Sequence, residues 1–148
     1  MRRVFLCFAF LLACSFLTLP SLAVAASPSQ KMVNKVNHAR AQHGLSPVRM
    51  SRALTRSSFR YSRRVMSRDH FSHGLQARPS GFNVFGEVLE LHGGRHVRVG
   101  FTVRAWLRSP GHRAVLLHPG FNVMGAGYRR GWFGGRRRTT WTAQFGRR

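Results

Sequence analysis

Between residues 27 and 68 the chain carries two helical patterns of apolar and polar positions. The first follows a Ser-Pro start and predicts a helix that begins after Ser27 and ends at Gly44. The second begins at Ser51, and its inward positions are Leu54, Ser58, Tyr61 and Val65. The opposite side of this second helix carries arginine at every fourth position: Arg52, Arg56, Arg60 and Arg64. We therefore predict two amphipathic helices, the second with a cationic face.

The segment from residue 69 to residue 94 has no sustained period, because Gly, His, Pro and Ser interrupt its short apolar runs. We predict a loop here, with some strand or irregular structure. Apolar positions from Val97 to Leu107 then resume a helical spacing and predict a third helix, although Gly100 and the β-branched residues weaken the pattern.

A short fourth helix is predicted directly afterwards. Ser109 suits its N-cap and Pro110 its first position, so His112 falls in the first turn. A strand is expected from near Phe121. The runs 122–128 and 139–145 read as strands of an antiparallel hairpin, joined by a Gly- and Arg-rich connection over residues 129–138.

The N-terminal residues 1–26 have the layout of a secretory signal peptide: Arg2 and Arg3, an apolar run, Pro20 and a small-residue ending. The apolar run resembles a membrane span, but Pro20 and the Ala-x-Ala ending favour cleavage, so we expect no transmembrane segment after processing. Lipoprotein anchoring at Cys14 is the less favoured alternative. Cys7 and Cys14 both lie in this leader, so the mature domain, residues 27–148, has no disulfide.

The chain is strongly basic, with 25 Lys and Arg residues, three acidic residues and a formal net charge of +22. Loss of the leader still leaves about +20 on the domain. Apart from Lys31 and Lys35, all mature basic residues are arginine, which forms bidentate contacts with phosphate and carboxylate. Genome base composition is one source of such a bias. The other interpretation is function: an exported protein that binds anionic lipid, cell-wall or envelope polymers, and nucleic acid only non-specifically.

The arginines of the second helix carry the more specific signal. A charged helix face is usually just solvated, but solvated faces usually mix the two signs, and this one holds no acid. We therefore predict that Arg52, Arg56, Arg60 and Arg64 bind an anionic surface.

The acidic residues lie in the irregular segment beside two histidines: Asp69, Glu87, Glu90, His70 and His73. His73, Glu87 and His112 offer two imidazoles and a carboxylate, a set that suits zinc with one open position. No local metal-binding spacing is present, so such a site depends on the fold. The alternative is that the histidines bond to backbone and Glu87 pairs with an arginine. Zinc is the one cofactor these residues suggest, and none is required.

Several short motifs follow one another in the order found in bacterial CAP domains. They are Arg40-Ala-x-x-Gly44-Leu-x-Pro47, Phe71-Ser-His73, Gly86-Glu87, Trp106-x-x-Ser-Pro-Gly-His112-Arg and Trp141-Thr-x-x-Phe145-Gly. The chain resembles the small secreted members of the CAP (SCP-like) superfamily, which also contains cysteine-rich secretory proteins, venom allergens and plant pathogenesis-related proteins. The resemblance covers residues 30–146.

This resemblance implies an α+β fold, an α-β-α sandwich in which a central antiparallel sheet lies between layers of helices. It also implies a cleft, to which His73, Glu87 and His112 are carried over. The second cleft glutamate of the eukaryotic members aligns with Ser109, so a four-residue site is not intact. The Gly-Glu-Asn pattern of the family reads Gly86-Glu87-Val88 here.

Members of the superfamily share no single agreed activity, so the resemblance leaves two hypotheses. The favoured one is a secreted binding module with a His/Glu cleft and an arginine-rich face. The alternative is a zinc-dependent, peptidase-like hydrolase in which His73 and His112 hold the metal and Glu87 is third ligand or base. The mature chain has neither cysteine nor a Gly-x-Ser-x-Gly motif, which favours binding. Ligand and oligomeric state are not predicted.

Overall fold

A computed structural model describes residues 25–74 and 79–148. The helices are α1 (Pro28–Ala41), α2 (Arg52–Ser67), α3 (Val99–Arg108) and α4 (Pro110–Leu116). The strands are β1 (Arg49–Met50), β2 (Val84–Gly93), β3 (Val123–Phe133) and β4 (Arg136–Arg147). The predicted signal peptide, with both cysteines, lies outside the described residues except for its last two positions. Among the described helices, none has the length and apolar character needed to cross a membrane.

The first two helices begin where the sequence predicts. The Ser27 side chain accepts a hydrogen bond from the Gln30 amide at 3.2 Å, and the Ser51 side chain accepts one from the Leu54 amide at 3.4 Å. Helix α1 ends at Ala41, and the chain then turns through Gly44, whose φ of 66° favours glycine. The predicted inward positions of α2 are buried: Leu54, Ser58, Tyr61 and Val65. Both amphipathic helices are thus confirmed.

The sheet has the strand order β1-β3-β4-β2. Strand β4 pairs antiparallel with β3 and with β2, as the sequence predicts for the hairpin. Strand β1 differs, because Arg49 and Met50 pair in parallel with Val123 and Met124. The expected purely antiparallel sheet is therefore mixed. No hairpin forces the direction of β1, since its connection to β3 passes through α2, β2, α3 and α4.

Helices cover both faces of the sheet. On one face α1, α3 and α4 enclose the main core, whose largest fully buried side chains include Trp106, Trp141 and Phe145. On the other face α2 lies along β3, and Gly125 and Gly127 let the helix backbone approach the strand directly. The predicted α-β-α sandwich is confirmed.

Two regions contain more strand than the sequence predicts. Strand β2 extends for ten residues within the segment predicted as loop, and it pairs with β4 along its whole length. Pairing with a buried neighbour outweighs the low strand propensity of its Gly and Glu residues. Strands β3 and β4 also run through most of the predicted 129–138 connection, which shrinks to Gly134 and Gly135. Both glycines have positive φ, which suits a two-residue hairpin turn.

Candidate functional site

Glu87, one of the three predicted cleft residues, is held by hydrogen bonds to both of its carboxylate oxygens. It lies on β2 directly opposite Gln144 of β4, and the Gln144 amide donates to Glu87 Oε2 at 2.9 Å. The other carboxylate oxygen, Oε1, accepts from the Gly74 amide at 2.9 Å and lies 3.5 Å from His73 Nδ1. The Glu87 side chain is fully buried, whereas half of the His73 side chain is exposed. Glu87 can therefore orient His73 while the imidazole stays open to solvent.

The loop that carries His73 is held by Tyr61 of α2. The Tyr61 hydroxyl donates to the Ser72 carbonyl at 2.7 Å, and Gly74 lies so close to the Tyr61 ring that a Cβ there would overlap it. Burial raises the pKa of Tyr61, and the nearby Glu87 carboxylate raises it further, so the hydroxyl remains a proton donor. Helix α2 and strand β2 thus fix the two ends of the His73–Glu87 contact.

His112 reaches the cleft from α4. Pro110 occupies the first turn of this helix, as predicted, and His112 follows in the same turn. Ser109 occupies the N-cap position, as predicted, although its side chain makes no capping hydrogen bond. Its backbone carbonyl instead begins the helix by accepting from the Arg113 amide at 2.8 Å.

The fold brings the two histidines together. The ring centroids of His73 and His112 are 6.1 Å apart, with an angle of 53° between the ring planes. His73, Glu87 and His112 thus form one cluster, although they are far apart in sequence. We call this cluster the His–Glu cleft, after the cleft that the family resemblance implies. Ser109 precedes this cluster at the start of α4.

The arrangement bears on the zinc hypothesis. Both oxygens of Glu87 already accept hydrogen bonds, which suits a residue that orients a histidine better than a direct ligand. Within residues 25–74 and 79–148, no three His, Cys, Asp or Glu side chains are placed to hold a metal ion together. Zinc binding by His73 and His112 stays a prediction.

His112 should have a lower pKa than an exposed histidine. Burial lowers the pKa of His112 below the ordinary imidazole value, and the charge on protonated His73 lowers it further. We expect an NMR titration of the mature domain to place His112 below about 6.5, and the His73→Ala variant to raise that pKa. His112 binds its proton more tightly in the unfolded chain than in the folded one. Protonation of His112 therefore lowers the free energy of unfolding as the pH falls below the ordinary imidazole pKa.

His38→Ala is the matched control, since His38 is exposed on α1. It should leave the His112 titration unchanged. A pKa of His112 at or above the ordinary value, or one insensitive to His73→Ala, would contradict the close approach of the two rings.

The predicted cationic surface is present. Arg52, Arg56, Arg60 and Arg64, which we call the arginine face, are all exposed on α2. The carboxylates lie elsewhere: Glu87 in the cleft, Glu90 on β2, and Asp69 at the hairpin tip, where it accepts from the Gly134 amide at 2.6 Å.

Sequence reasoning missed a second cationic feature and two supporting residues. An open groove of about 560 Å³ lies where α2 meets β3, and five arginines line it: Arg60, Arg63, Arg95, Arg129 and Arg130. The sequence predicts a connection at Arg129 and Arg130, so their place beside α2 could not be foreseen.

The sequence also assigns Tyr61 only to the core and gives Gln144 no role. The alternation of apolar and polar residues in β4 predicts an exposed polar side, whereas Gln144 is buried, so no sequence signal marks its role.

Comparisons with known proteins agree with this fold. The chain matches the family described as "CAP: Cysteine-rich secretory protein family" over residues 33–145. It is 29% identical over 106 residues to the uncharacterized protein YkwD of Bacillus subtilis, a match that spans 67% of this chain and 41% of YkwD.

Solved structures of similar fold come from several organisms. An extracellular protein containing an SCP domain from Bacillus anthracis superposes with a TM-score of 0.67 at 23% identity, over 82% of this chain and 40% of that one. An outer surface protein from Borrelia burgdorferi gives 0.64 at 19% identity, over 80% and 90% of the two chains. Venom allergen-like protein 4 from Schistosoma mansoni gives 0.67 at 11% identity, over 83% and 90%.

The two Bacillus relatives are longer proteins, and the chain spans about two fifths of the length of each. The match to the family nevertheless runs from within α1 to residue 145 of β4, and so includes His73, Glu87 and His112. The chain belongs to the cysteine-rich secretory protein (CAP) family.

Proposed function

We propose that this protein is an exported binding module that attaches to anionic lipid or envelope surfaces through the arginine face of α2. The observation that carries the proposal is the exposure of four arginines on one helix face, with every side-chain carboxylate of the chain placed elsewhere. Each cation near an anionic membrane contributes about 1 kcal/mol of attraction. Four on one rigid helix therefore give a strong, oriented contact.

Export is supported from two sides. Residues 1–26 have the composition of a secretory signal peptide. The similar protein from Bacillus anthracis is described as extracellular, and the one from Borrelia burgdorferi as an outer surface protein. Outside the cell, anionic lipids and wall polymers are the abundant partners for a basic domain.

In this proposal the His–Glu cleft is a binding site. Glu87 lies 3.5 Å from His73 in a buried position, and the ring centroid of His112 is 6.1 Å from that of His73. Such a pair can bind a small polar group without performing a reaction. The hydrolase hypothesis requires more: zinc-dependent cleavage of a peptide or ester that the His112→Ala variant loses. That result would contradict the binding-module proposal.

The surface attachment is tested with vesicles. We expect the mature domain to co-sediment with phosphatidylcholine vesicles that contain phosphatidylglycerol, to ignore pure phosphatidylcholine, and to detach as salt rises. Changing Arg52, Arg56, Arg60 and Arg64 together to Gln should lower the partition coefficient by about a hundredfold or more.

The matched control neutralises four exposed arginines on other elements: Arg104, Arg108, Arg136 and Arg147. The two variants carry the same net charge, so any difference reports the position of the arginines. Equal losses in both variants would show that overall charge, and not the α2 face, determines attachment. Absence of binding by the unaltered domain would contradict the proposal altogether.

A further inference from the structure

The groove between α2 and β3, which we call the β3 groove, is a second concentration of positive charge. It lies beside β3 beyond the point where β1 ends, because β1 pairs only with Val123 and Met124. None of its lining residues belongs to the His–Glu cleft, which gathers around β2 at the far end of the strand order. The groove is therefore separate from the His–Glu cleft, whereas Arg60 belongs both to the groove and to the arginine face.

The guanidinium groups of the β3 groove have no carboxylate to neutralise them. Among the described residues the one contact between a basic side chain and a carboxylate is His73 with Glu87. Like charges drawn together in this way repel one another, so the cluster weakens the fold unless an anion binds there. Arginine provides planar, bidentate donors that match the oxygens of a phosphate group.

Aromatic side chains complete the groove. Phe59 of α2 and Tyr128 of β3 lie with ring centroids 5.8 Å apart, and the Arg130 guanidinium is 5.9 Å from the Tyr128 ring centroid. Phe59 is 39% exposed. The rings give the groove an apolar wall beside its donors, which a free inorganic anion would not use.

Trp132 extends the same apolar character toward the hairpin tip. It follows Tyr128 and Arg130 at alternate positions of β3, so the three side chains share one face of the strand. Its side chain is 59% exposed, and the Arg137 guanidinium lies 4.6 Å from its ring centroid. Exposed tryptophan flanked by arginine is typical of segments that rest at a lipid–water boundary.

We propose that the β3 groove is a binding site for a lipid headgroup that carries two neighbouring phosphate groups. This inference rests on the proposed attachment to anionic surfaces and assigns it a specific ligand chemistry. Five arginines suffice to give each phosphate a bidentate partner, and a volume of about 560 Å³ falls within the range of ordinary small-molecule sites. The aromatic rings contact the apolar part of the lipid.

The test compares two double variants of equal charge. Arg63→Gln with Arg130→Gln removes donors from the groove, and Arg104→Gln with Arg108→Gln removes exposed charges on α3. Phosphatidylcholine vesicles containing cardiolipin, which has two phosphates per lipid, are compared with phosphatidylglycerol vesicles of the same total charge. We expect the unaltered domain to prefer cardiolipin, and the groove variant to lose that preference and at least about tenfold in affinity. The α3 variant should keep the preference.

Calorimetry with inorganic pyrophosphate separates the headgroup from the lipid. Saturable one-to-one binding that the groove variant loses would support the paired-phosphate site, and weaker binding than to cardiolipin would support the lipid. Equal affinity for cardiolipin and phosphatidylglycerol vesicles, or equal losses of affinity in both variants, would overturn the inference while leaving the general surface attachment intact.

A single-stranded oligonucleotide that binds the groove more tightly than cardiolipin does would overturn the lipid assignment. Thermal melting of both variants verifies that they fold.

Discussion

Replacing Arg40 with methionine is expected to lower the free energy of unfolding by about 3 to 5 kcal/mol. Arg40 is 1% exposed, although it carries a charge. Its guanidinium donates to backbone carbonyls of Ser46, Leu116, His118 and Phe121, at distances from 2.9 to 3.4 Å. Methionine fills a similar volume but leaves these carbonyls without their donor. Urea denaturation of the mature domain measures the loss.

The same substitution should also disturb the His–Glu cleft, because Leu116 and His118 lie at the C-terminal end of the helix that carries His112. Arg40→Lys should rescue little, since an ammonium cannot reach several carbonyls in one plane. Arg56→Met, on an exposed position of α2, is the control and should change stability by less than about 0.5 kcal/mol. A loss for Arg40→Met as small as that of the control would contradict its structural role.

Gly125→Ala is expected to destabilise the domain by about 3 kcal/mol. A Cβ at this position would overlap the backbone of Leu54 and Thr55 in α2. Because a helix backbone cannot rotate away as a side chain can, α2 would have to move off the sheet. The buried hydrogen bond from Ser58 Oγ to the Gly125 carbonyl, 3.2 Å long, would be lost with it.

Gly93→Ala provides the matched control, since a Cβ there meets nothing within 4 Å and Gly93 is also a strand residue. It should leave stability unchanged or raise it by a few tenths of a kcal/mol. Equal midpoints for the two variants in urea would show that α2 does not lie against β3 as closely as described. Displacement of α2 should also reduce vesicle binding if the arginine face acts as proposed.

The helical part of the fold was predictable because local signals agree with the tertiary structure. Ser27 and Ser51 cap their helices, and the spacing of Leu54, Tyr61 and Val65 predicts the buried side of α2. Strand β2 was not predictable in the same way. Its Gly86, Glu87 and Gly93 have low strand propensity, and only pairing with β4 makes them a strand.

The candidate site was likewise predictable only in part. His73, Glu87 and His112 could be chosen by residue type and by resemblance to a family, and the fold does bring them together. Their geometry was not in the sequence, because the partners of Glu87 are Gln144 from a distant strand and the Gly74 amide. The β3 groove was invisible for the same reason: Arg63 and Arg129 meet only after α2 lies on the sheet.

The free edge of β3 has a consequence for how copies of this protein behave together. Past Met124, the described part of β3 is paired on one side only, and an unpaired strand edge is a template for joining another chain. Arg129 and Arg130 place like charges along this edge, so two copies that approach edge to edge repel each other. If the protein attaches to a surface as proposed, we expect a crowded layer of it to stay dispersed until an anion neutralises those charges.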